Sequence, residues 1–230
     1  QAGGDLFDYF ALDDAHLFFA IGDVSGKGMP AAMFMSAVVV LLRSAALHLR
    51  DPAELLRRVN DDLAIRNESC TFVTLFAGIL DVRTGEVVFA NGGHNRPRRR
   101  SAAGAVAAVP TKTNMVVGAM DGRTFARESL ALRPGDTLIL YTDGVTEAFD
   151  EADQLYGEER LDRRLAALPA EASAAEIVQG VVADVAAFAG AREQSDDITP
   201  LVLRDGTAGT EITGGSARGC HRMKRRGPGR

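Results

Sequence analysis

Leu17-Phe18-Phe19-Ala20-Ile21-Gly22-Asp23-Val24-Ser25-Gly26-Lys27-Gly28-Met29-Pro30 passes from an apolar run into an acid, a glycine-rich turn and a proline. It reads as a buried strand, a tight loop and a helix with proline in its first turn. An aspartate at the lip of a buried strand is costly to desolvate without a partner. Three other acids stand in similar places. Asp5 follows Gly3-Gly4, Asp143 closes the run Thr137–Thr142, and Asp196, beside Asp197, opens Ile198–Leu203. Four such lips converging would repel one another. The simplest neutraliser is a hard divalent cation, which prefers oxygen ligands, so the pattern points to a Mg²⁺ or Mn²⁺ enzyme. The competing reading makes each acid a helix cap or turn former.

Outward from this stretch, residues 5–25 read as two strands joined by a turn at Asp13-Asp14, and a helix runs from Pro30 to about Leu49. Asp51-Pro52-Ala53-Glu54 reads as an N-cap, a first-turn proline and a capping-box acid, with Leu55, Leu56, Val59 and Leu63 on one helical face. Residues 71–80 and 87–89 read as strands around a Thr84-Gly85 turn, interrupted at Asn91-Gly92-Gly93-His94-Asn95. Arg133-Pro134-Gly135-Asp136 turns into the 138–142 strand, and Ser173 with Glu176 opens a helix carrying Ile177, Val181, Val185 and Phe188. Strands at both ends and paired helices predict α+β layers around an antiparallel core.

The 230 residues suit one large domain or two small ones, and 46% hydrophobic with 25% charged residues is an ordinary globular composition. A net charge of -5 argues against nucleic acid, which needs a basic surface. Met29–Leu42 falls short of the roughly 20 residues of a membrane span, so a core helix is expected and no membrane insertion. The first residue is Gln1, which suggests a part excised from a longer protein. From about residue 205 the chain turns Gly-, Thr-, Ser- and Arg-rich, so 205–230 is expected to be a disordered basic tail. Two distant cysteines, Cys70 and Cys220, suit a reducing cytoplasm. Cys70 reads as a buried apolar residue, since no phosphate-binding Arg follows it before Arg83.

Gly22 to Lys27 lacks the spacing of a nucleotide P-loop. Lys27 reads as a solvated loop lysine or, alternatively, a guide for an anionic substrate. His94 reads as a loop histidine held by backbone groups, with an acid–base role as the alternative. Gly3-Gly4-Asp5-Leu6-Phe7 resembles the diguanylate cyclase signature, but nothing precedes it here, where that family has further strands and helices.

Five blocks in order carry a more specific resemblance: Gly3-Gly4-Asp5-Leu6-Phe7-Asp8, Gly22–Ala32, Asn91–Asn95, Tyr141–Ala148 and Ser195–Thr199. Together they resemble the SpoIIE/RsbU-type branch of the protein phosphatase 2C superfamily, over roughly residues 3–204. The resemblance implies a four-layer sandwich of two packed antiparallel sheets flanked by helices. It implies a domain at 1–204 with a curtailed N-terminal edge, and a metal-dependent Ser/Thr phosphatase using two Mn²⁺ or Mg²⁺ ions. Asp23 would bridge the ions, Asp143 and Asp196 would complete the core set, and the Val24 carbonyl would be a further ligand. Asp23 and Asp143 would be the catalytic acids. Asp5 would serve the second ion, with Asp8, Gly144 and Asp197 in support. The eukaryotic branch has a histidine two residues after the bridging acid, where Ser25 stands here. The resemblance also implies an upstream sensor or receiver domain, and a phosphoprotein substrate of the anti-sigma-factor-antagonist class. A regulatory module that kept the fold without catalysis is the non-enzyme alternative, and a cyclase-like nucleotide enzyme a third reading.

Overall fold

A computed structural model describes residues 4–65, 67, 69–112, 114–192, 196–206, 209–216 and 219–225. Gly3 and Ser195 of the sequence motifs lie outside the described residues. The chain opens with strands β1 (Asp5–Ala11) and β2 (His16–Val24), then helices α1 (Met29–Ala46) and α2 (Pro52–Ala64). Strands β3 (Val73–Asp81), β4 (Glu86–Gly92), β5 (Arg98–Arg100), β6 (Val106–Ala108), β7 (Glu128–Ala131) and β8 (Thr137–Tyr141) follow. Helices α3 (Asp143–Thr146), α4 (Gly157–Ala167) and α5 (Ala174–Ala189) precede β9 (Pro200–Gly206), β10 (Gly209–Ser216) and β11 (Gly219–Arg225). These elements form two compact units, Gln1–His94 with Thr111–Ala131, and Asn95–Pro110 with Leu132–Arg230. Each holds one antiparallel sheet with helices on it.

In the first unit the sheet order is β1-β2-β3-β4-β7. Strand alternation divides its residues between two faces. Leu6, Phe18, Ala20, Val24, Val73, Leu75 and Ala77 share a buried cluster with Val38 and Leu42 of α1 and Leu55, Leu56 and Val59 of α2. On the other face Phe19, Phe76 and Phe89 stack in sequence, with centroids 6.3 and 5.0 Å apart. Gly78 is opposite Phe19, and a Cβ there would lie 2.4 Å from the Phe19 ring, so the missing side chain makes room for the aromatic. Helix α2 starts at the expected cap: Asp51 accepts from the Ala53 N–H at 2.8 Å, with Pro52 in the first turn. The expected capping box does not form, because Glu54 binds Arg57 at 2.9 Å instead. Helix α1 buries only one face, through Ala31, Val38, Leu42 and Ala46; Met29, Met33 and Val40 are exposed. By length and composition alone this 18-residue helix could cross a membrane, and the expected core helix is instead half-buried.

The second unit has the order β11-β10-β9-β8-β5-β6. Ile139, Tyr141 and Val202 pack with Leu161 and Leu165 of α4 and Ile177, Val178, Val181 and Val185 of α5. The capping box at Ser173 and Glu176 forms as expected. Two arginines of β5 are almost wholly buried. Arg98 reaches Glu158 at 2.8 Å and Asp162 at 2.7 Å on α4. Arg100 donates to the carbonyls of Leu165 (2.9 Å), Leu168 (2.6 Å) and Pro169 (3.2 Å), closing the C-terminal end of α4. Burial pushes its guanidinium below its ordinary value, yet three acceptors hold it.

The expected disordered tail is corrected. β10 lies between β9 and β11, paired along both edges. Ile212 and Thr213 are buried, and Glu211 accepts from Lys224 at 2.9 Å and Arg222 at 3.2 Å. The order comes from backbone pairing and ion pairs rather than an apolar run, which is why composition missed it. Residues 207–208, 217–218 and 226–230 lie outside the described residues.

Arg100→Ala is expected to lower stability by roughly 2–4 kcal/mol, because it strips three buried or half-buried carbonyls of their donor. Urea denaturation of the variant against the parent measures this. A midpoint unchanged from the parent would show that Arg100 does not close α4.

Candidate metal centre

The acids that the sequence singles out fall as two pairs, one in each unit. In the first, Asp23 is the penultimate residue of β2 and stands in register opposite Asp5 on β1 and opposite Thr74 on β3. Directly opposed residues share a face, so Asp5, Asp23 and Thr74 form one row on the face away from α1 and α2. Two carboxylates directly opposed repel one another.

The glycine before Asp5 explains how they are accommodated. A Cβ at Gly4 would lie 2.6 Å from the Val24 carbonyl oxygen and 2.7 Å from Asp23 Oδ1. The Val24 N–H donates to the Gly4 carbonyl at 3.1 Å, which sets this close approach. Gly4 is thus a cradle for one carboxylate oxygen and one carbonyl oxygen. Oxygen donors alone, with excess negative charge, suit a hard divalent cation.

The turn after Asp23 is tied down at Ser25, whose N–H donates to the Phe72 carbonyl at 2.8 Å and whose Oγ accepts from the Phe72 N–H at 2.9 Å. Gly26 (φ 89°) and Gly28 (φ 85°) lie in the left-handed region with open space around them, so conformation rather than crowding requires glycine there. Lys27 between them is exposed.

In the second unit Asp143 is the first residue of α3. The Thr142 N–H donates to the Thr199 carbonyl at 3.2 Å, and the Thr142 hydroxyl donates to the Asp197 carbonyl at 3.4 Å. A Cβ at Gly144 would lie 2.1 Å from the Asp197 carbonyl oxygen. The first turn of α3 is therefore pressed onto the Asp196-Asp197 backbone, which sets Asp143 and Asp196 on adjoining segments. Asp196 Oδ1 also accepts from the Asp197 N–H at 2.9 Å. Asp197 acts here through its main chain. Among the described residues, no three or more His, Cys, Asp or Glu side chains are grouped as a metal cage.

Two expectations are corrected. Asp8 is three residues from Asp5 and so lies on the opposite face of β1. There it forms a two-pronged ion pair with Arg43 of α1, both contacts at 2.7 Å, and Arg43 sits 5.0 Å from the centre of the Phe10 ring. Asp8 fastens helix to strand and stands apart from the Asp5–Asp23 row. Cys70 is exposed, with φ 51°, because it lies in the loop after α2 rather than in a strand.

His94 is 7% exposed, and its Nδ1 lies 3.0 Å from Thr74 Oγ1. Its backbone is gripped by Asn91, which accepts from the His94 N–H at 2.7 Å and donates to its carbonyl at 2.9 Å. Sequence reasoning missed Thr74 altogether, and only strand register could have found it.

The model of the family described as Stage II sporulation protein E (SpoIIE) matches residues 13–205. The chain belongs to the SpoIIE family. Protein IcfG of Synechocystis sp. (strain ATCC 27184 / PCC 6803 / Kazusa) is 31% identical over 88% of the chain and 36% of its own length. Phosphoserine phosphatase RsbU of Bacillus subtilis (strain 168) is 27% identical over 66% of the chain and 45% of its own length. The chain thus spans less than half of either relative. Among solved structures, the RsbU and RsbW domains of Rv1364c from Mycobacterium tuberculosis match with TM-score 0.72 at 28% identity, over 92% of the chain and 58% of that one. The SiaA-PP2C domain of Pseudomonas aeruginosa matches with TM-score 0.74 at 24% identity, over 88% of the chain and 80% of that one. The fold is the PP2C-type one of these SpoIIE-family neighbours, with two antiparallel sheets and flanking helices, as the resemblance implied. The cyclase-like reading of residues 3–7 falls with the family match.

Gly4→Ala forces the Val24 carbonyl and the Asp23 carboxylate apart from their present positions. Mn²⁺ affinity by titration calorimetry is expected to fall about 10-fold or more, the scale of disturbances next to metal ligands. Unchanged affinity would show that the Gly4 cradle is not part of a cation site.

Proposed function

We propose that this chain is a metal-dependent protein phosphatase domain that hydrolyses phosphoserine or phosphothreonine esters. The observation that carries this reading is the Gly4 cradle, which brings the Asp23 carboxylate and the Val24 carbonyl together beside an in-register Asp5. Asp5, Asp23, Val24, Asp143 and Asp196 are the ligands for two divalent ions, Mn²⁺ or Mg²⁺. Such ions supply charge neutralisation at the phosphoryl oxygens and activation of water. Asp23 and Asp143 are the catalytic acids, and each has a glycine beside it where a side chain would collide with neighbouring atoms, Gly4 against Asp23 and Val24 and Gly144 against the Asp197 backbone. A neighbour in fold, RsbX, was solved in complex with magnesium.

The chain's own groups also suit the rest of the reaction. Lys27, exposed on the loop that follows Asp23, can draw a dianionic phosphoester toward the turn. The chain carries Ser25 where the eukaryotic branch has its histidine, and this serine is engaged with the Phe72 backbone. Both cysteines are free and exposed, which suits a cytoplasmic site of action.

The substrate is a phosphoprotein of the anti-sigma-factor-antagonist class within a partner-switching system. Support comes from the RsbU relative and from a solved neighbour that combines RsbU and RsbW domains. The matched part is 36% of IcfG and 45% of RsbU, and these longer relatives support an upstream sensory or receiver segment in the full-length protein.

The test is hydrolysis of a phosphoserine peptide and of p-nitrophenyl phosphate with Mn²⁺ or Mg²⁺, then with chelator. Turnover is expected to require the metal and to stop on chelation. Asp23→Asn and Asp143→Asn are each expected to lose about 10²-fold or more, since metal activation is lost with the ligand. Full activity in chelator, or a near-normal Asp23→Asn rate, overturns the proposal.

A further inference from the structure

The Asp5–Asp23 row does not end at Asp23. Thr74 continues it on β3, and the hydroxyl of Thr74 lies 3.5 Å from the Asp23 carbonyl oxygen, at the outer limit of a hydrogen bond. On its other side the same hydroxyl lies 3.0 Å from His94 Nδ1. If the threonine donates to Asp23, the histidine Nδ1–H donates to the threonine, so one chain of donors runs from the end of β4 to the main chain of Asp23.

The histidine is held by a purpose-shaped turn. Asn91, 3% exposed, clasps its N–H and carbonyl, and Asn114 in turn donates to the Asn91 carbonyl at 2.9 Å. Gly93 has φ 75°, and a Cβ there would stand 3.0 Å from Val116. Val117 pairs with Val73, itself opposite Val24, so the segment behind the turn is pinned to the strand that flanks the site. An apolar turn could cap β4 with fewer buried polar groups. A buried polar network of this kind instead specifies one arrangement.

We propose that Thr74 and His94 are positioning residues for Asp23, fixing its backbone so that its carboxylate and the adjoining Val24 carbonyl face a cation together. Asp5 pushes on Asp23 from β1 by like charge, and Thr74, buttressed by His94, holds it from β3. The inference rests on the metal-site reading above.

The experiment titrates Mn²⁺ into metal-free protein by calorimetry and records the thermal midpoint of each variant without metal. Thr74→Val keeps shape and strand preference but removes the hydroxyl. It is expected to weaken Mn²⁺ binding about 10- to 100-fold. Thr74→Ser restores the hydroxyl and is expected to return affinity close to that of the parent. His94→Leu is expected to match Thr74→Val and to add nothing in the double variant, because both act through one contact. If Thr74→Val loses thermal stability, the His94→Leu arm and the serine rescue decide. Parent-like affinity in both Thr74→Val and His94→Leu overturns the proposal, as does a serine variant as weak as valine. A parent protein that binds no Mn²⁺, or an Asp23→Asn variant that binds as well as the parent, refutes the metal-site reading instead.

Discussion

Two carboxylates stand directly opposite each other, Asp5 on β1 and Asp23 on β2. At the roughly 5 Å typical of opposed side chains, and an effective dielectric near 20, such a pair repels by about 3 kcal/mol. A domain stable by only about 5–15 kcal/mol does not carry that cost without a compensating role. Much of the first unit is arranged around the pair: Gly4 gives them space, Ser25 ties down the following turn, and the stacked Phe19, Phe76 and Phe89 rigidify the same face of the sheet. Asp8, on the other face, pulls α1 onto β1 through Arg43 and leaves the charged row undisturbed.

The second unit solves a similar problem with different chemistry. Its Asp143 and Asp196 lie on segments joined by a backbone-tight glycine contact and by the bonds of Thr142 with Thr199 and Asp197. Arg98 and Arg100 add two buried cations to the same unit's sheet. Arg98 is paired with carboxylates of α4, and Arg100 spends its donors on the carbonyls at the end of that helix. Asp5, Asp23 and Asp143 therefore sit at the ends of strands or at a helix start, while Asp196 lies in the segment before β9, whose backbone is held against the first turn of α3 by the Gly144 contact.

Apolar runs bounded by turn residues made β2, β3, β8 and α5 readable, and Asp51 and Ser173 announced their helix starts. The strands after residue 206 were not readable. β10 is almost wholly buried but built of Gly, Thr, Glu, Ser and one Ile, so its hydrophobic periodicity is weak, and it is held by partners on both edges. Asp8 was misplaced because the motif reading ignored strand parity, and Cys70 because its neighbours read as strand while the backbone makes a loop with φ 51°.

The amino-acid sequence by itself determined the family, the antiparallel α+β class and which acids stand beside apolar runs, since these rest on local spacing, apolar runs and turn chemistry. The tertiary structure alone decided which acids are partners and which are fasteners. Register sets Asp5 against Asp23 and Thr74 against both Asp23 and, through its hydroxyl, His94. Such neighbours lie about 18 to 51 residues apart in the chain and meet only when strands pair, and a side chain's face changes with every single-residue step along a strand.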